Sequence, residues 1–547
     1  MSRRSDPLVS CSILTGVVRE PNPAPTMRCC TTWISIIMLT VTLASGFGTA
    51  TAAPLSSGAA ACSTLSTNSS ITVLTPTSDP SSYSSAKTSG FNPLNNKLSP
   101  SCIVRPSTTA DVSTIMKAIF TSNSPYAVRS GGHTGMAGWD SVEGGVLIDF
   151  SKMTGFAFDA GASTVSVEPG LRWGEVYNLS AVHGVAPMGG RVSHVGTGLI
   201  LGGGLSLLSP LYGYACDGLV EAEIVSPEGN VLTVNKDTNP TLLRAIKGGG
   251  GRFGIVTKYT LRAFPTGTND EKNWYGGSIT SLDPPGMDAM VSLTEKFVAT
   301  PDDPKATLLS NVGLLKIQGV PTWLGSTFLF YKGTKEEFDS VFRDFLAIPA
   351  AIVDVKPLSY LEAAATTPLG WTSTQAYKWM GGSLYPNASL TARPLPSVVP
   401  AIPIVNADAP STYLALWNNL KPFLAKHADV IGSAFFSITP VRTNQIEQGY
   451  LAGSNAISPP RGRSYMHWLF STILEENTDS FPEDLEKDRL KLISDNPSDK
   501  GLPLFLNEVD VSQDAFKTYG WYEELKQEYK RFDPSGFSVK HQQGPKF

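Results

Sequence analysis

Between residues 100 and 265, apolar and polar positions alternate in short blocks that predict strands and helices in turn. Apolar residues at helical spacing, behind a threonine that can cap a helix, predict a helix that begins at Thr109 and ends at Phe120. Short apolar and β-branched runs predict strands. These strands lie at Tyr126–Arg129, Val146–Phe150, Thr164–Glu168, Leu219–Val225, Val231–Val234 and Ile255–Leu261. The alternation is typical of an α+β domain.

Beyond Pro265 the pattern changes to longer helices and strands, such as a helix at Lys335–Phe345. Near the C-terminus, Phe505–Asp510 predicts a strand and Phe516–Phe532 an amphipathic helix. Residues 54–97 are rich in Ser, Thr, Pro and Asn and predict an irregular segment. We therefore expect folding units with these bounds: a first domain at 98–267, a second domain at 268–505 and a terminal segment at 506–547.

The most apolar stretch lies at Trp33–Ala44, behind Met27 and Arg28 and ahead of the small residues Ala50–Pro54. A basic start, a short apolar run and a small-residue site predict a secretory signal peptide over residues 27–53. A transmembrane helix is the weaker alternative, because the run is short and is interrupted by Ser and Thr. Residues 1–26 are expected to be an extra segment, with Met27 as the true start.

Cysteines and glycosylation sequons agree with a secretory route. Cys62 and Cys102 lie in polar surroundings and can pair in an oxidising compartment, whereas Cys216 is expected to be a buried free thiol. Asn-x-Ser sequons are acceptors only where the chain is secreted and the site is exposed. They occur at Asn68, Asn178 and Asn387.

Charge excludes one class of function. The 547 residues carry 43 Lys and Arg against 47 Asp and Glu, a net charge of −4. Because nucleic-acid-binding proteins usually carry a basic excess, we expect no nucleic-acid partner. Hydrophobic residues make up 41% of the chain, which is enough for a large core.

Three glycine clusters lie within the first domain, and they are the main candidates for ligand binding. They are Ser130-Gly131-Gly132-His133, Gly202-Gly203-Gly204 and Gly248-Gly249-Gly250-Gly251. Glycine lets backbone N–H groups approach an anion, so such clusters can hold a pyrophosphate. The alternative is that they only form tight turns. Neither a Walker A sequence nor a G-x-G-x-x-G motif at a strand–helix junction stands out.

These motifs, taken in order, resemble one family. Arg129–Thr134, the glycine clusters, Tyr212–Asp217 and the terminal Asn507–Asp510 are similar to the berberine-bridge-enzyme-like proteins. These are oxygen-dependent FAD-linked oxidoreductases whose flavin domain is shared with vanillyl-alcohol oxidase. The resemblance implies an α+β fold with a two-subdomain FAD-binding domain. It also implies a substrate domain with an antiparallel sheet covered by helices, and a terminal segment that returns to the FAD domain.

The resemblance implies FAD as cofactor, held covalently through His133 and the flavin 8α-methyl group. A hydrogen-bonded turn histidine and a metal ligand are the alternatives, and no H-x-x-H or C-x-x-C motif in the mature chain supports a metal. Some members add a cysteine bond, but Val192 stands at that position, so His133 is expected to be the only attachment. Further cofactor contacts are implied at Arg129, Ser130, Gly131, Gly132, Thr134, Gly196, Gly198, Gly202, Gly203 and Ile255.

On the substrate side, Glu508 stands where carbohydrate-oxidising relatives have a tyrosine base. A carboxylate can take this role if burial raises its pKa. The alternative is a structural partner for a nearby arginine or backbone amide. Tyr377, Trp379, Tyr465, His467 and Trp468 are expected to be ordinary core residues.

Three functions remain open from the sequence. The first is a secreted oxidase that moves a hydride from a small organic molecule, such as a specialised metabolite, to flavin N5 and passes the electrons to O2, giving H2O2. The second is an oligosaccharide oxidase that forms a lactone, and the third is a non-catalytic secreted glycoprotein. A dehydrogenase that does not use O2 also stays open. We expect a monomer without a membrane span in the mature chain, located outside the cell or in the endomembrane lumen.

Overall fold

The computed structural model describes residues 55–366, 374–387, 411–478 and 480–547. The predicted signal peptide at 27–53 and the extra segment at 1–26 lie outside these ranges. Among the described helices, none combines the length and the apolar character needed to cross a bilayer.

A four-stranded sheet comes first in the chain, in the order β1-β2-β4-β3. Its strands are β1 Thr72–Leu74, β2 Cys102–Arg105, β3 Tyr126–Arg129 and β4 Val146–Asp149. β2, β4 and β3 pair in parallel, and β1 adds an antiparallel edge. All four residues of β4 are buried, as expected for a parallel strand that is covered on both faces.

A second sheet is antiparallel and has the order β5-β6-β10-β8-β9, with β7 also pairing with β10. The strands are β5 Phe156–Asp159, β6 Thr164–Val167, β7 Val185–Pro187, β8 Leu219–Val225, β9 Val231–Asn235 and β10 Ile255–Pro265. The helices of these two layers are α1 Ser57–Ser66, α2 Pro80–Lys87, α3 Pro93–Asn96, α4 Thr109–Thr121, α5 Trp173–Ala181, α6 Ser209–Tyr212 and α7 Pro240–Ile246. A capping box of Thr108 and Asp111 fixes the start of α4.

The third sheet has seven antiparallel strands in the order β14-β11-β13-β12-β16-β17-β15. They are β11 Trp274–Ser281, β12 Ala306–Ile317, β13 Val320–Tyr331, β14 Ile352–Leu358, β15 Tyr377–Leu384, β16 Ile431–Val441 and β17 Tyr465–Leu474. The remaining helices are α8 Pro284–Ala299, α9 Lys335–Leu346, α10 Tyr360–Ala365, α11 Thr412–Lys426, α12 Thr443–Leu451, α13 Glu483–Asp495, α14 Tyr522–Phe532 and α15 Phe537–His541.

Side-chain alternation gives this third sheet two different faces. Val312, Phe436 and Phe470 face one side and share a core with Val291 of α8 and Trp417 of α11. The residues between them in sequence face the opposite side. The helices thus cover one face, and the other face is available to line a ligand cavity.

The observed architecture confirms the predicted α+β fold with a helix-covered antiparallel sheet, but three local predictions were wrong. The segment 54–97 is not irregular, because it contains α1, β1, α2 and α3. Phe505–Asp510 is not a strand, and a single 3-10 turn spans Leu506–Glu508. The helix predicted over Phe516–Phe532 begins only at Tyr522, behind a separate short turn.

A disulfide joins Cys62 in α1 to Cys102 at the start of β2, as predicted. Cys216, in the described part of the chain, is buried and lies outside any disulfide. The Cys62–Cys102 bridge spans 40 residues. For a loop of this length, the chain-entropy model gives about 3–4 kcal/mol of stabilisation.

Replacing both cysteines by serine is therefore expected to lower the free energy of unfolding by about 3–4 kcal/mol. Urea unfolding followed by fluorescence measures this change. A reducing agent should destabilise the wild type but leave the double variant unaffected, which provides the control. A loss below about 1 kcal/mol would contradict the prediction.

Candidate active site

One cavity of about 320 Å³ lies where the glycine-rich loops of the first two sheets meet the uncovered face of the third sheet. Leu309, Phe435 and Leu469 of the third sheet form an apolar wall. Most of the predicted cofactor residues line the same cavity. They are Ser130, Gly131, Gly132, His133, Thr134, Gly196, Gly198, Gly202 and Ile255.

Two glycine loops meet backbone to backbone at one side of this cavity. A Cβ on Gly131 would lie 2.4 Å from the backbone N of Gly196, so no larger residue fits there. Gly198 differs, because a Cβ at that position would meet nothing within 4 Å. Protein packing does not require glycine at Gly198, whereas a ligand that approaches the backbone closely would. The loops thus fit a bound nucleotide cofactor.

The ring of His133 lies in an aromatic environment beside these loops. Its centroid is 4.2 Å from that of Phe91, 4.8 Å from that of His194 and 6.3 Å from that of Trp379. Burial, with a further contribution from His194, lowers the pKa of His133 to about 3. The imidazole is therefore neutral at physiological pH and keeps a nucleophilic nitrogen lone pair.

Glu508 reaches the cavity from the terminal segment, next to Arg191. The Glu508 Oε1 atom lies 3.9 Å from the Arg191 Nη2 atom, and these side chains are 20% and 12% exposed. Burial raises the pKa of the Glu508 carboxyl, and the positive charge of Arg191 opposes that rise. Arg191 is itself held by Thr439 of β16, whose Oγ1 atom accepts a hydrogen bond of 3.1 Å from Nη1.

Asn507 fixes the terminal segment against the second glycine cluster. Its Nδ2 atom donates to the carbonyl of Leu199 at 3.2 Å, and its Oδ1 atom accepts from the backbone N–H of Gly204 at 3.3 Å. This pairing holds Glu508, the next residue, at the cavity. The predicted return of the segment to the cofactor domain is therefore observed.

The sequence of this chain is similar to those of known FAD-dependent proteins. Residues 100–235 match the family model described as an FAD binding domain. The FAD-dependent monooxygenase sdcF of Emericella nidulans is 28% identical over 466 residues, which cover 83% of this chain and 91% of that protein. The chain is therefore an FAD-linked oxidoreductase.

Two further comparisons agree with this assignment. An uncharacterized FAD-linked oxidoreductase of Arthroderma benhamiae is 35% identical over 265 residues, or 48% of this chain and 51% of that protein. The oxidoreductase shares its fold with berberine bridge enzyme from Eschscholzia californica, with a TM-score of 0.69 and 18% identity over 89% of this chain and 99% of that one. The predicted fold, the enzyme class and the cofactor FAD are thus confirmed.

Two predicted cofactor residues of the oxidoreductase do not reach the cavity. Arg129 donates to the carbonyls of Ala86 and Lys87 and lies 3.8 Å from Asp149. It therefore joins the first sheet to α2. Gly203 has a φ of +107°, and a Cβ there would lie 2.8 Å from Ile457, so it is a glycine required by packing.

Val192, the position of the absent cysteine, does line the cavity of the oxidoreductase. Because valine carries no thiol, this side chain cannot form a cysteinyl link to a cofactor. Within the described ranges, no group of three or more His, Cys, Asp or Glu side chains is placed to bind a metal ion.

Sequence reasoning missed three polar residues that line the cavity of this oxidoreductase. Arg191 directly precedes Val192 but was given no role, and Asn311 and Asp140 carry no sequence signal. Burial raises the pKa of Asp140 to about 6, and the positive charge of Arg129 opposes that rise. Trp379, which was expected to be ordinary core, also faces the cavity.

The C-terminal residues complete one wall. The buried Arg252 guanidinium donates to a series of backbone carbonyls, those of Ser538, Gln542, Gln543, Gly544 and Pro545. Gln542 lines the cavity, and Phe547 packs against Phe516 with ring centroids 4.6 Å apart. One cation therefore positions the last residues of the sequence against the cofactor site.

Proposed function

We propose that this oxidoreductase is a secreted FAD-dependent oxidase, which oxidises a small organic molecule such as a specialised metabolite and reduces O2 to H2O2. The observation that carries the proposal is that His133 and the Glu508–Arg191 pair face one cavity. A nucleophile for cofactor attachment and a proton acceptor for substrate thus border the same space.

Different residues of the chain would hold different parts of the cofactor. The backbone of Ser130–His133 and Gly196–Gly198 would hold the pyrophosphate, and His133 would bind the flavin covalently as its single attachment. Bound FAD supplies an acceptor for the hydride that leaves the substrate carbon, and a donor of two electrons to O2. Neutral His133 supports this role because only an unprotonated imidazole can act as a nucleophile.

For the substrate, Glu508 would accept the hydroxyl proton as the carbon is oxidised. The substrate loses two electrons and two protons in total, and one O2 gains them to become one H2O2. Arg191 would keep the Glu508 carboxylate oriented without removing its basicity, because the two groups are 3.9 Å apart rather than in a close bidentate pair.

Oxygen consumption and peroxide release test the proposal. The chain, expressed from Met27 in a secretory host, is given a panel of phenols, hydroxy-ketones and oligosaccharides. One H2O2 per O2 with a small organic substrate is the expected result. Turnover of oligosaccharides alone would identify an oligosaccharide oxidase instead. Reduction of an artificial dye without O2 uptake would identify a dehydrogenase and contradict the proposed oxidase.

Secretion is part of the proposal and is supported by the Cys62–Cys102 disulfide. Among the sequons, Asn68 forms a local turn in which its Oδ1 atom accepts from the N–H of Ser70. Asn178 lies within α5, with the Ser180 of its sequon buried. The sequon of Asn387 continues outside the described residues. Mature protein that begins near Pro54, with a mass shift on deglycosylation, would support secretion, and an intact N-terminus would refute it.

A further inference from the structure

Asn311 is a buried amide on the side of the cavity that the third sheet forms. It lies in β12 and is 4% exposed. Its neighbours across the sheet are Ser326 of β13 and Ser437 of β16. Leu309, two residues earlier, lies on the same face and also lines the cavity.

The amide nitrogen of Asn311 differs from the hydroxyl of the preceding residue, Ser310. Among the described residues, the Nδ2 atom has no hydrogen-bond partner. Ser310, on the helix-covered face, bonds to Thr294 at 2.6 Å and to Thr327 at 3.1 Å. Most buried polar atoms in proteins are paired in this way. An unpaired donor that faces a cavity therefore indicates a ligand acceptor.

Neighbouring side chains narrow the chemistry of that acceptor. Leu309, Phe435 and Leu469 form the apolar wall already described, and Trp379 adds an aromatic ring. Such a surface suits a flat, unsaturated molecule better than a sugar, which would present hydroxyl groups on every side. The opposite charges of Glu508 and Arg191 offset each other in the cavity, so a neutral carbonyl oxygen is favoured over a charged acceptor.

Strand register relates Asn311 to Glu508. Asn311 pairs with Ser437. Thr439 lies two residues further along β16, about 7 Å from Ser437. Thr439 holds Arg191, which lies beside Glu508. These contacts connect the donor and the proton acceptor along one side of the same cavity.

We infer that Asn311 is a specificity-determining residue that donates a hydrogen bond to the carbonyl oxygen of a flat, unsaturated hydroxy-ketone, whose hydroxyl group faces Glu508. This inference rests on the proposed function, because it places the substrate in the FAD-loaded cavity. It assigns the substrate class that the proposed oxidase activity leaves unspecified.

Calorimetric titration of the FAD-loaded protein with two matched probes tests the inference. 4-Hydroxyacetophenone carries the carbonyl oxygen, and 4-ethylphenol has nearly the same outline without it. The wild type should bind the ketone about 5- to 10-fold more tightly, as expected for one added neutral hydrogen bond. Asn311→Leu and Asn311→Asp should bring this ratio close to one.

The control is Asn419→Leu, which removes an exposed amide of α11 whose partner is Asn496 and should keep the wild-type ratio. Flavin absorbance of each variant shows that it is folded and loaded, and the Asp variant serves if the Leu variant does not fold. Equal binding of both probes by the wild type, no binding of either, or an unchanged ratio in the Asn311 variants would overturn the inference. A wild type without flavin would instead refute the proposed function.

Discussion

Replacing His133 by alanine should leave the acid-precipitated protein without flavin colour. In the wild type, acid denaturation should leave the yellow flavin in the pellet, because a covalent bond survives the loss of the fold. In His133→Ala the fold can still bind FAD through its glycine loops, so the colour should move to the supernatant. Visible spectra of the redissolved pellet and of the supernatant measure this change.

His194→Ala is the matched control for this experiment. His194 has the same ring type and lies 4.7 Å from Phe91, the residue that also contacts His133. Its substitution should leave the flavin in the pellet. A yellow pellet from His133→Ala would place the attachment elsewhere. A colourless wild-type pellet with a yellow supernatant would show that FAD is held without a covalent bond.

Glu508→Gln should lower kcat by about 100- to 10,000-fold, the usual contribution of a positioned general base. The amide keeps the size of the side chain but cannot accept the proton. Steady-state oxygen uptake with a substrate from the panel measures the loss. Glu336→Gln removes an exposed carboxylate of α9 and should leave kcat unchanged. A Glu508→Gln variant with wild-type kcat would reduce Glu508 to a structural partner of Arg191.

The pH dependence of kcat provides a second test of the role of Glu508. A base must be ionised to act, so kcat should rise with pH through the pKa of Glu508 and then level off. Burial raises that pKa, which places the rise above the usual range of a carboxyl group. Arg191→Met removes the cation that lowers the pKa, so the midpoint should move to higher pH. A midpoint that does not move would contradict the assignment of Glu508.

The sequence predicts the structure best where local sequence preferences and tertiary contacts favour the same conformation. The capping box at Thr108 and the helical spacing behind it set the start of α4, and this helix ends one residue beyond its predicted end. The Cys62–Cys102 pair was predicted from its polar surroundings and the secretory context. The glycine loops were predicted to gather at one ligand, and they line one cavity.

Prediction from the sequence fails where contacts between distant residues determine the local conformation or the position of a side chain. Leu506–Glu508 forms a turn rather than a strand, because the side chain of Asn507 bonds to backbone groups at 199 and 204. Asn311 carries no signal, since both faces of β12 are buried and its surroundings show no simple alternation. Only the register of β12 with β16 places this amide on the cavity wall.

The walls of the cavity come from segments that lie far apart in the sequence, so the cavity forms only when distant parts of the chain have come together. A ribosome makes the glycine loops near residue 130 hundreds of residues before Asn507, Glu508 and Gln542. The cavity lacks these parts of its lining until those later residues are made. Closure of the nucleotide cavity therefore depends on residues that are made long after the glycine loops.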